Sequence, residues 1–168
     1  GGNFYAIIDP QQNFSGIQDF TASQIVQYSQ TIREQINIRY PNKFIHPEDS
    51  SIKNVTHLLW SGTPIHEGSD GRNAVFYGDK AIDRSPCGTG TSARLAQLHA
   101  KGKLKKGVEF IHESFIGSTF VGCIEEETTV GDFPAIIPSI KGWAKIYGYN
   151  TIIIDDKDDP YAHGFSVI

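Results

Sequence analysis

The chain has 168 residues, of which 39% are hydrophobic and 20% charged, and a formal net charge of −4. This composition is that of an ordinary globular protein and excludes a disordered or fibrous chain. The acidic balance argues against a broad nucleic-acid surface, and no stretch approaches the roughly 20 apolar residues that a membrane span needs. We therefore expect neither nucleic acid nor a membrane as a partner.

A strand and a long helix are the first elements predicted. The run 4–8, FYAII, is β-prone and stops at an Asp-Pro pair. Thr21 and Gln24 have the spacing of a capping box, so a helix should begin there and end before Pro41. The inward face of this helix is predicted to consist of Ile25, Tyr28, Ile32 and Ile36.

Two strands and a second helix are predicted in the middle of the chain. Residues 52–60 and 74–78 are strand-like, and the polar, Gly-containing segment 61–73 should form the loop between them. The second helix is predicted to begin near Gly88 and to end with the Lys-Gly pair at 101–102.

The last third of the chain is predicted to be rich in strands. Three β-prone runs occupy 108–117, 118–130 and 133–155, separated by Gly, Pro and Asp. Six or more strands and two helices indicate an α+β fold. We find no linker and no internal repeat.

Only two cysteines occur, Cys87 and Cys123, and their spacing indicates neither a disulfide framework nor a metal site. A reducing, cytoplasmic setting is therefore expected. Cys123 lies inside a β-prone run and is interpreted as a strand residue packed in the core. Cys87 instead stands between Pro86 and Gly88, where the second helix should begin.

A helix N-terminus favours an anion, so Cys87 is expected to be a reactive thiolate. The alternative is a small core residue, against which its Pro and Gly neighbours argue. The amides of Gly88 and Thr89 could bind a carboxylate or a phosphate. GTGTSA matches a dinucleotide fingerprint but does not directly follow a strand, and six residues rather than five separate Cys87 from Arg94, which misses the phosphatase loop. Phosphate binding therefore remains an open alternative. The other interpretation is that the thiol acts as a base and removes a proton from a carbon next to a carboxylate.

The segment 83–104, DRSPCGTGTSARLAQLHAKGKL, resembles the second cysteine motif of the proline racemase family. The resemblance continues through GGNFYAIID, HLLWSG, NAVFYGDKAIDRSPC, HESFIGS, PAIIPSIKGWA and GYNTIIIDDKDDPYAHGF, which together look most like the 4-hydroxyproline epimerase branch. It implies a diaminopimelate epimerase-like fold. In that fold a strand-rich sheet wraps around a central helix, in one of two pseudo-symmetric halves.

In this family two cysteines face each other across the substrate's α-carbon and invert it without a cofactor. The implied reaction converts trans-4-hydroxy-L-proline to cis-4-hydroxy-D-proline. Cys87 matches the second cysteine, whereas the first belongs to a Met-Cys-Gly-His motif that this sequence lacks. The resemblance therefore implies that residues 1–168 are a carboxy-terminal half, whose last strands pack on or cross to an amino-terminal half carrying the second cysteine.

The resemblance also implies roles for residues near the cysteine. Asp83 matches an aspartate that binds the ring amine, and Gly88 with Thr89 matches the backbone cradle of the carboxylate. His57 is a candidate contact for the substrate's hydroxyl, and Tyr77 for the ring. The alternatives are a helix-capping turn for Asp83, a structural strand histidine, and ordinary packing for Tyr77.

Two other functions stay open on the sequence alone. One is a proline racemase, which uses the same chemistry on a smaller substrate. The other is a non-catalytic amino-acid-binding half-domain, because one cysteine cannot invert a centre by this mechanism. A dehydratase branch carries Thr at the cysteine position, and Cys87 argues against it. No cofactor or metal is expected, and the oligomeric state is open, with a homodimer among the alternatives.

Overall fold

The structure is a computed structural model that describes residues 2–164. Its helices and strands are β1 (Phe4–Ile8), a 3₁₀ turn (Ile17–Asp19), α1 (Ala22–Arg39), β2 (Val55–Gly62), β3 (Gly71–Tyr77), β4 (Ala81–Ile82), α2 (Gly88–Ala100), β5 (Phe110–Glu113), β6 (Thr119–Val130) and β7 (Phe133–Lys141). The strands form one seven-stranded sheet in the order β1-β2-β3-β5-β6-β7, with β4 paired to β3. The predicted α+β class is confirmed.

The sheet is mixed, and its two parallel pairs explain the two helices. β1 is parallel to β2, and β3 is parallel to β5, whereas the other neighbours are antiparallel. A parallel pair needs a crossover connection, which α1 supplies for the first pair and α2 for the second. The helices pack on opposite faces of the sheet, because α1 contacts the cluster containing Leu58 whereas α2 begins beside Leu59.

Helix α1 begins at the predicted capping box. The Gln24 amide donates to Thr21 Oγ1 at 3.3 Å, and the Thr21 amide donates to Gln24 Oε1 at 2.9 Å. The predicted inward position of Tyr28 is wrong, because this ring is 41% exposed and Ser29 is buried instead. Ser29 faces the sheet because its hydroxyl accepts the buried Trp60 indole N–H at 2.8 Å, which would otherwise lack a partner.

Strand β2 begins later and ends later than predicted. Asn54 has a φ of 66°, which interrupts an extended backbone, so pairing starts at Val55. The Asn37 side chain of α1 fixes this start, since it both donates to and accepts from the Val55 backbone at 2.9 Å. The predicted loop 61–73 is shorter in the structure, because its first residues belong to β2 and its last residues to β3. The two strands pair Gly62 with Arg72.

Helix α2 covers the other face of the sheet and contacts β6 and β7. Leu95 packs with Phe110 and Ile124 in a buried cluster. Cys123 lies in β6 as predicted, but its expected core position is wrong, because Cys123 is half-buried. The neighbours that face α2 are Gly122 and Ile124. Alternation along a strand places residues on opposite faces, and α2 meets the even-numbered positions here.

The third predicted β-prone run forms a strand only as far as Lys141. Within the described chain, residues 142–164 contain no further helix or strand. This segment carries large exposed apolar side chains, namely Trp143, Ile146, Tyr147, Tyr149, Ile152, Ile153 and Ile154. Among residues 2–164, no helix has the length and apolarity to cross a membrane.

Asp9 ties the end of β1 to α2. Its carboxylate accepts hydrogen bonds from Arg94 and Gln97 of α2, from Lys101 just beyond the helix, and from Ser61 of β2. Burial opposes ionisation of this carboxyl, but the hydrogen bonds from Lys101 and Arg94 lower the pKa of Asp9 from 3.8 to about 2. The ionised form is therefore part of the folded structure.

Replacing Asp9 by Asn should lower the free energy of unfolding at neutral pH, and the loss should shrink in acid. A carboxyl whose folded-state pKa is depressed stabilises the fold above its unfolded pKa of 3.8, and this contribution disappears as the pH falls towards 2. Denaturant unfolding at several pH values measures the difference. Asp79→Asn, which removes an exposed partner of Arg33, is the control and should cost little. An Asp9→Asn loss that is the same at all pH values would contradict this account.

Candidate active site

Cys87 is the N-cap of α2 and has a φ of 65°. A non-glycine residue in this left-handed region costs about 1–3 kcal/mol and persists only where its surroundings hold it. The Cys87 amide donates to Ser85 Oγ at 3.0 Å, and its carbonyl accepts the Thr91 amide at 2.8 Å. The backbone is thus held on both sides of the residue.

The thiol lies over the first turn of the helix. The residue is only 9% exposed and packs on Leu59 and Val75 of the sheet. Its sulfur accepts the Gly90 amide at 3.4 Å. Gly90 is required here, since a Cβ at this position would lie 2.9 Å from Val75 Cγ2 and 3.2 Å from Cys87 Cβ.

Tyr5 of β1 is a neighbour of the thiol that the sequence analysis missed. Its hydroxyl lies 3.4 Å from Cys87 Sγ and 2.6 Å from Thr89 Oγ1. Burial, followed by the hydrogen bond with Cys87, raises the pKa of Tyr5 above its ordinary value, so the phenol stays protonated. Alternation places Tyr5 on the α2 face of β1, but nothing in the sequence indicated that β1 would reach this helix.

The amides of Gly88 and Thr89 occupy the first turn of α2, where no intrahelical acceptor can reach them. Apart from its chain neighbours and the backbone of α2, a Cβ added at Gly88 would meet no described atom within 4 Å, so the space beside Gly88 is open. The partial positive charge of the helix N-terminus adds to these two donors. A carboxylate can therefore approach the amides close to the Cys87 sulfur.

Asp83 reaches the cysteine through Ser85. One carboxylate oxygen of Asp83 accepts both the Ser85 amide, at 2.8 Å, and the Ser85 hydroxyl, at 2.9 Å. Ser85 Oγ in turn accepts the Cys87 amide. Asp83 also lines a groove of about 370 Å³, formed together with Ser85, Ser118, Phe120 and Trp143. The predicted helix-capping turn and a role towards a ligand are thus both compatible with its position.

His57 and Tyr77 lie farther from the sulfur. The His57 ring packs on Tyr5 with centroids 4.9 Å apart, and Nδ1 lies 2.8 Å from Thr56 Oγ1. Burial, then the charge of Arg33, lowers the pKa of His57, so the ring is neutral at neutral pH. Tyr77 ends β3 with its side chain 42% exposed. The structure therefore brings together Cys87 and its sequence neighbours, and Tyr5 connects His57 to them.

A buried polar cluster lies behind the cysteine and was also missed from the sequence. Asn73 Nδ2 donates to the Pro86 carbonyl at 2.9 Å, and Thr91 Oγ1 lies 3.0 Å from His112 Nδ1. Burial, followed by the charge of Arg94, lowers the pKa of His112 to about 3, so the cluster is uncharged. These side chains connect β3 and β5 to the loop that carries the thiol.

Comparisons with known proteins agree on one family. A sequence model of the family described as proline racemase matches residues 1–166. A 4-hydroxyproline epimerase from Brucella ovis is 60% identical over 99% of this chain and 49% of the relative, and a 4-hydroxyproline 2-epimerase from Spirosoma linguale is 58% identical over 100% of this chain and 49% of the relative. The chain thus spans about half the length of the curated relatives it matches.

Two solved structures are similar in fold. A hydroxyproline epimerase from Agrobacterium vitis with bound trans-4-hydroxy-L-proline has a TM-score of 0.74 and 32% identity, over 99% of this chain and 47% of that protein. A probable proline racemase from Agrobacterium radiobacter with bound carbonate has a TM-score of 0.74 and 34% identity, over 98% of this chain and 47% of that protein. The cysteine at the helix start and the open amides beside it agree with these similarities. Because the family model matches residues 1–166, the chain belongs to the proline racemase family.

Proposed function

We propose that the chain is the carboxy-terminal half of a cofactor-independent epimerase that interconverts trans-4-hydroxy-L-proline and cis-4-hydroxy-D-proline. The observation that carries the proposal is the Cys87 thiol on the first turn of α2, beside the open amides of Gly88 and Thr89. The names of the Brucella and Spirosoma relatives support this substrate, as does the ligand of the Agrobacterium vitis structure.

In the proposed reaction the Cys87 thiolate takes the α-proton, so an S–H bond forms while the C–H bond breaks. The electron pair stays on the α-carbon and delocalises into the carboxylate. The amides of Gly88 and Thr89 stabilise the negative charge that develops there. A second cysteine thiol then gives its proton to the opposite face of the carbon. The substrate is inverted, and the two cysteines have exchanged their protonation states.

The remaining predicted contacts complete the proposal. Asp83, which has one carboxylate oxygen bonded to Ser85, would bind the ring amine with its other oxygen. Tyr77 would contact the ring and His57 the 4-hydroxyl. Since the neutral His57 ring can donate or accept a hydrogen bond, it suits an uncharged hydroxyl better than a charged group. Reduced thiols are required throughout, which is consistent with the cytoplasmic setting expected from the sequence.

The second cysteine must come from outside this chain's described site, and we assign it to an amino-terminal half. Two surfaces support a large apolar contact. One is the exposed apolar part of 142–154. The other is a groove of about 380 Å³ lined by residues that include Tyr5, Ala93, Ile136 and Pro138. Exposed apolar side chains that form a contiguous patch are typical of an interaction surface. We propose that the segment after β7 packs on or crosses to that half, in a diaminopimelate epimerase-like arrangement.

A proline racemase is the second candidate, favoured by the similarity to the probable proline racemase from Agrobacterium radiobacter. Its two-thiol chemistry is the same, so the cysteine site does not separate the two functions. Polarimetry of the protein expressed from its complete reading frame, with hydroxyproline and proline side by side, distinguishes them. Inversion of neither substrate would favour the non-catalytic amino-acid-binding alternative.

Alkylation of Cys87 by iodoacetamide should be fast and should be blocked by a planar carboxylate such as pyrrole-2-carboxylate. The reason is that the thiolate lies beside the amides that would bind the inhibitor's carboxylate. Mass spectrometry of tryptic peptides separates Cys87, in peptide 85–94, from the half-buried Cys123, which serves as the internal control. Equal labelling of both cysteines without protection would argue against an active site at Cys87.

Replacing Cys87 by Ser should reduce epimerisation in both directions by about 10³-fold or more, because a serine hydroxyl does not ionise at neutral pH. Substrate should still bind through the backbone amides. In heavy water the partner thiol should exchange the α-proton of one stereoisomer only, since it faces one side of the carbon. Cys123→Ser is the matched control and should keep near-parental activity. Near-parental epimerisation by Cys87→Ser would refute the mechanism.

A further inference from the structure

Two hydroxyl groups flank the Cys87 sulfur, and they come from different elements. Tyr5 of β1 lies 3.4 Å from Sγ, and Thr89 of α2 lies 3.6 Å from it. The two hydroxyl oxygens are 2.6 Å apart, although 84 residues separate them in sequence. The three polar atoms thus form a closed triangle over the first turn of α2.

The protons in this triangle can be counted. The two hydroxyls carry two protons, and one of these lies between the oxygens, whose separation is that of a strong hydrogen bond. The other proton is then free to point at the sulfur, where the Gly90 amide also donates. A thiolate at Cys87 therefore has a hydroxyl donor in addition to a backbone donor. A neutral thiol needs neither, so the arrangement favours the charged form.

Tyr5 is suited to this role by its surroundings. Its ring packs on His57 and on the cluster around Leu59, which fixes the phenol beside the sulfur. Burial, then the contact with Cys87, raises the pKa of Tyr5, so the phenol keeps its proton over the range in which a thiol ionises. Tyr5 can consequently donate a hydrogen bond to a thiolate without competing with it as a base.

We propose that the Tyr5 hydroxyl, oriented by Thr89, is a catalytic hydrogen-bond donor to the Cys87 thiolate and sets the pH range in which this thiol acts as a base. Its role in turnover rests on the proposed function, whereas its effect on the thiol does not. On this account, Tyr5 is the residue of β1 that makes the active site dependent on the pairing of β1 with the rest of the sheet.

The other ionisable groups around the thiol bear on the test. Asp83, from the loop before α2, contributes negative charge near Tyr5. His57 on β2 and His112 on β5 are both held neutral by burial first, then by nearby arginine charge. Because the two histidines are neutral above about pH 7, they do not change charge over the range in which the alkylation rate is followed.

The experiment measures the alkylation rate of Cys87 against pH in the protein expressed from its complete reading frame. Tyr5→Phe keeps the ring and removes only the donor. The midpoint of its rate profile should rise by about one pH unit, with about tenfold slower alkylation below the midpoint. Tyr28→Phe, which removes a hydroxyl on the other face of the sheet, should keep the parental midpoint. An unchanged midpoint in Tyr5→Phe would overturn the inference.

A second substitution at position 5 tests whether a packing change, rather than the lost hydrogen bond, explains the result for Tyr5→Phe. Incorporating 3-fluorotyrosine at position 5 keeps the size of the side chain and makes the phenol a stronger donor. The midpoint should then move to lower pH, opposite to Tyr5→Phe. A shift in the same direction for both variants would indicate a packing effect and would overturn the inference.

Turnover provides a further readout. The acid limb of the kcat/KM profile of Tyr5→Phe should move with the alkylation midpoint, so activity lost at neutral pH should return at higher pH. A loss that is independent of pH would contradict the assigned role. Protection by pyrrole-2-carboxylate separates the two proposals. An unprotected parental Cys87 counts against the proposed function, whereas a protected Cys87 with an unchanged Tyr5→Phe midpoint counts against Tyr5 alone.

Discussion

The position of the thiol depends on the close contact between the first turn of α2 and β3. Gly90 lies against Val75 at a distance that a Cβ would not allow, and the Asn73 side chain holds the Pro86 carbonyl. These contacts keep Cys87 in a left-handed backbone that it would otherwise leave, at a cost of about 1–3 kcal/mol. Because the backbone is held there, the sulfur lies over the helix N-terminus and within reach of Tyr5.

The two faces of the sheet differ in polarity. The face under α1 is an apolar core that includes Leu58 and Trp60, and the Trp60 indole N–H donates to Ser29. The face under α2 mixes apolar and polar groups, because the residues that position the thiol lie there. The buried members of this set are uncharged, because His112 is kept neutral by burial and Asn73 contributes an amide, whereas the Asp83 carboxylate acts on Cys87 through Ser85. Asn73 and His112 therefore hold the loop behind the sulfur without adding charge there.

The proposed chemistry also accounts for the exposed apolar side chains after β7. Inversion of a carbon requires a proton carrier on each side, and the described site places one thiol at one side. The segment after β7 exposes apolar side chains, and Tyr5 and Thr89, which flank the thiol, line the apolar groove. Burying such surface against a second half would exclude water from the substrate and strengthen the interactions between the amides and the carboxylate.

Local interactions made part of this protein predictable from its sequence. The capping box of Thr21 and Gln24 and the helix start at Gly88 were found because their hydrogen bonds join residues only a few positions apart. The sequence did not predict three features: the buried position of the Ser29 side chain, the end of β7, and the contact of Tyr5 with the thiol. Each depends on which distant strand or side chain lies opposite, and sequence periodicity does not contain that information. The sequence alone determined the two helix starts and the thiol at the second of them, because local contacts fix these features. Only tertiary packing decided the strand ends and the environment of the thiol, because these depend on residues that are distant in sequence.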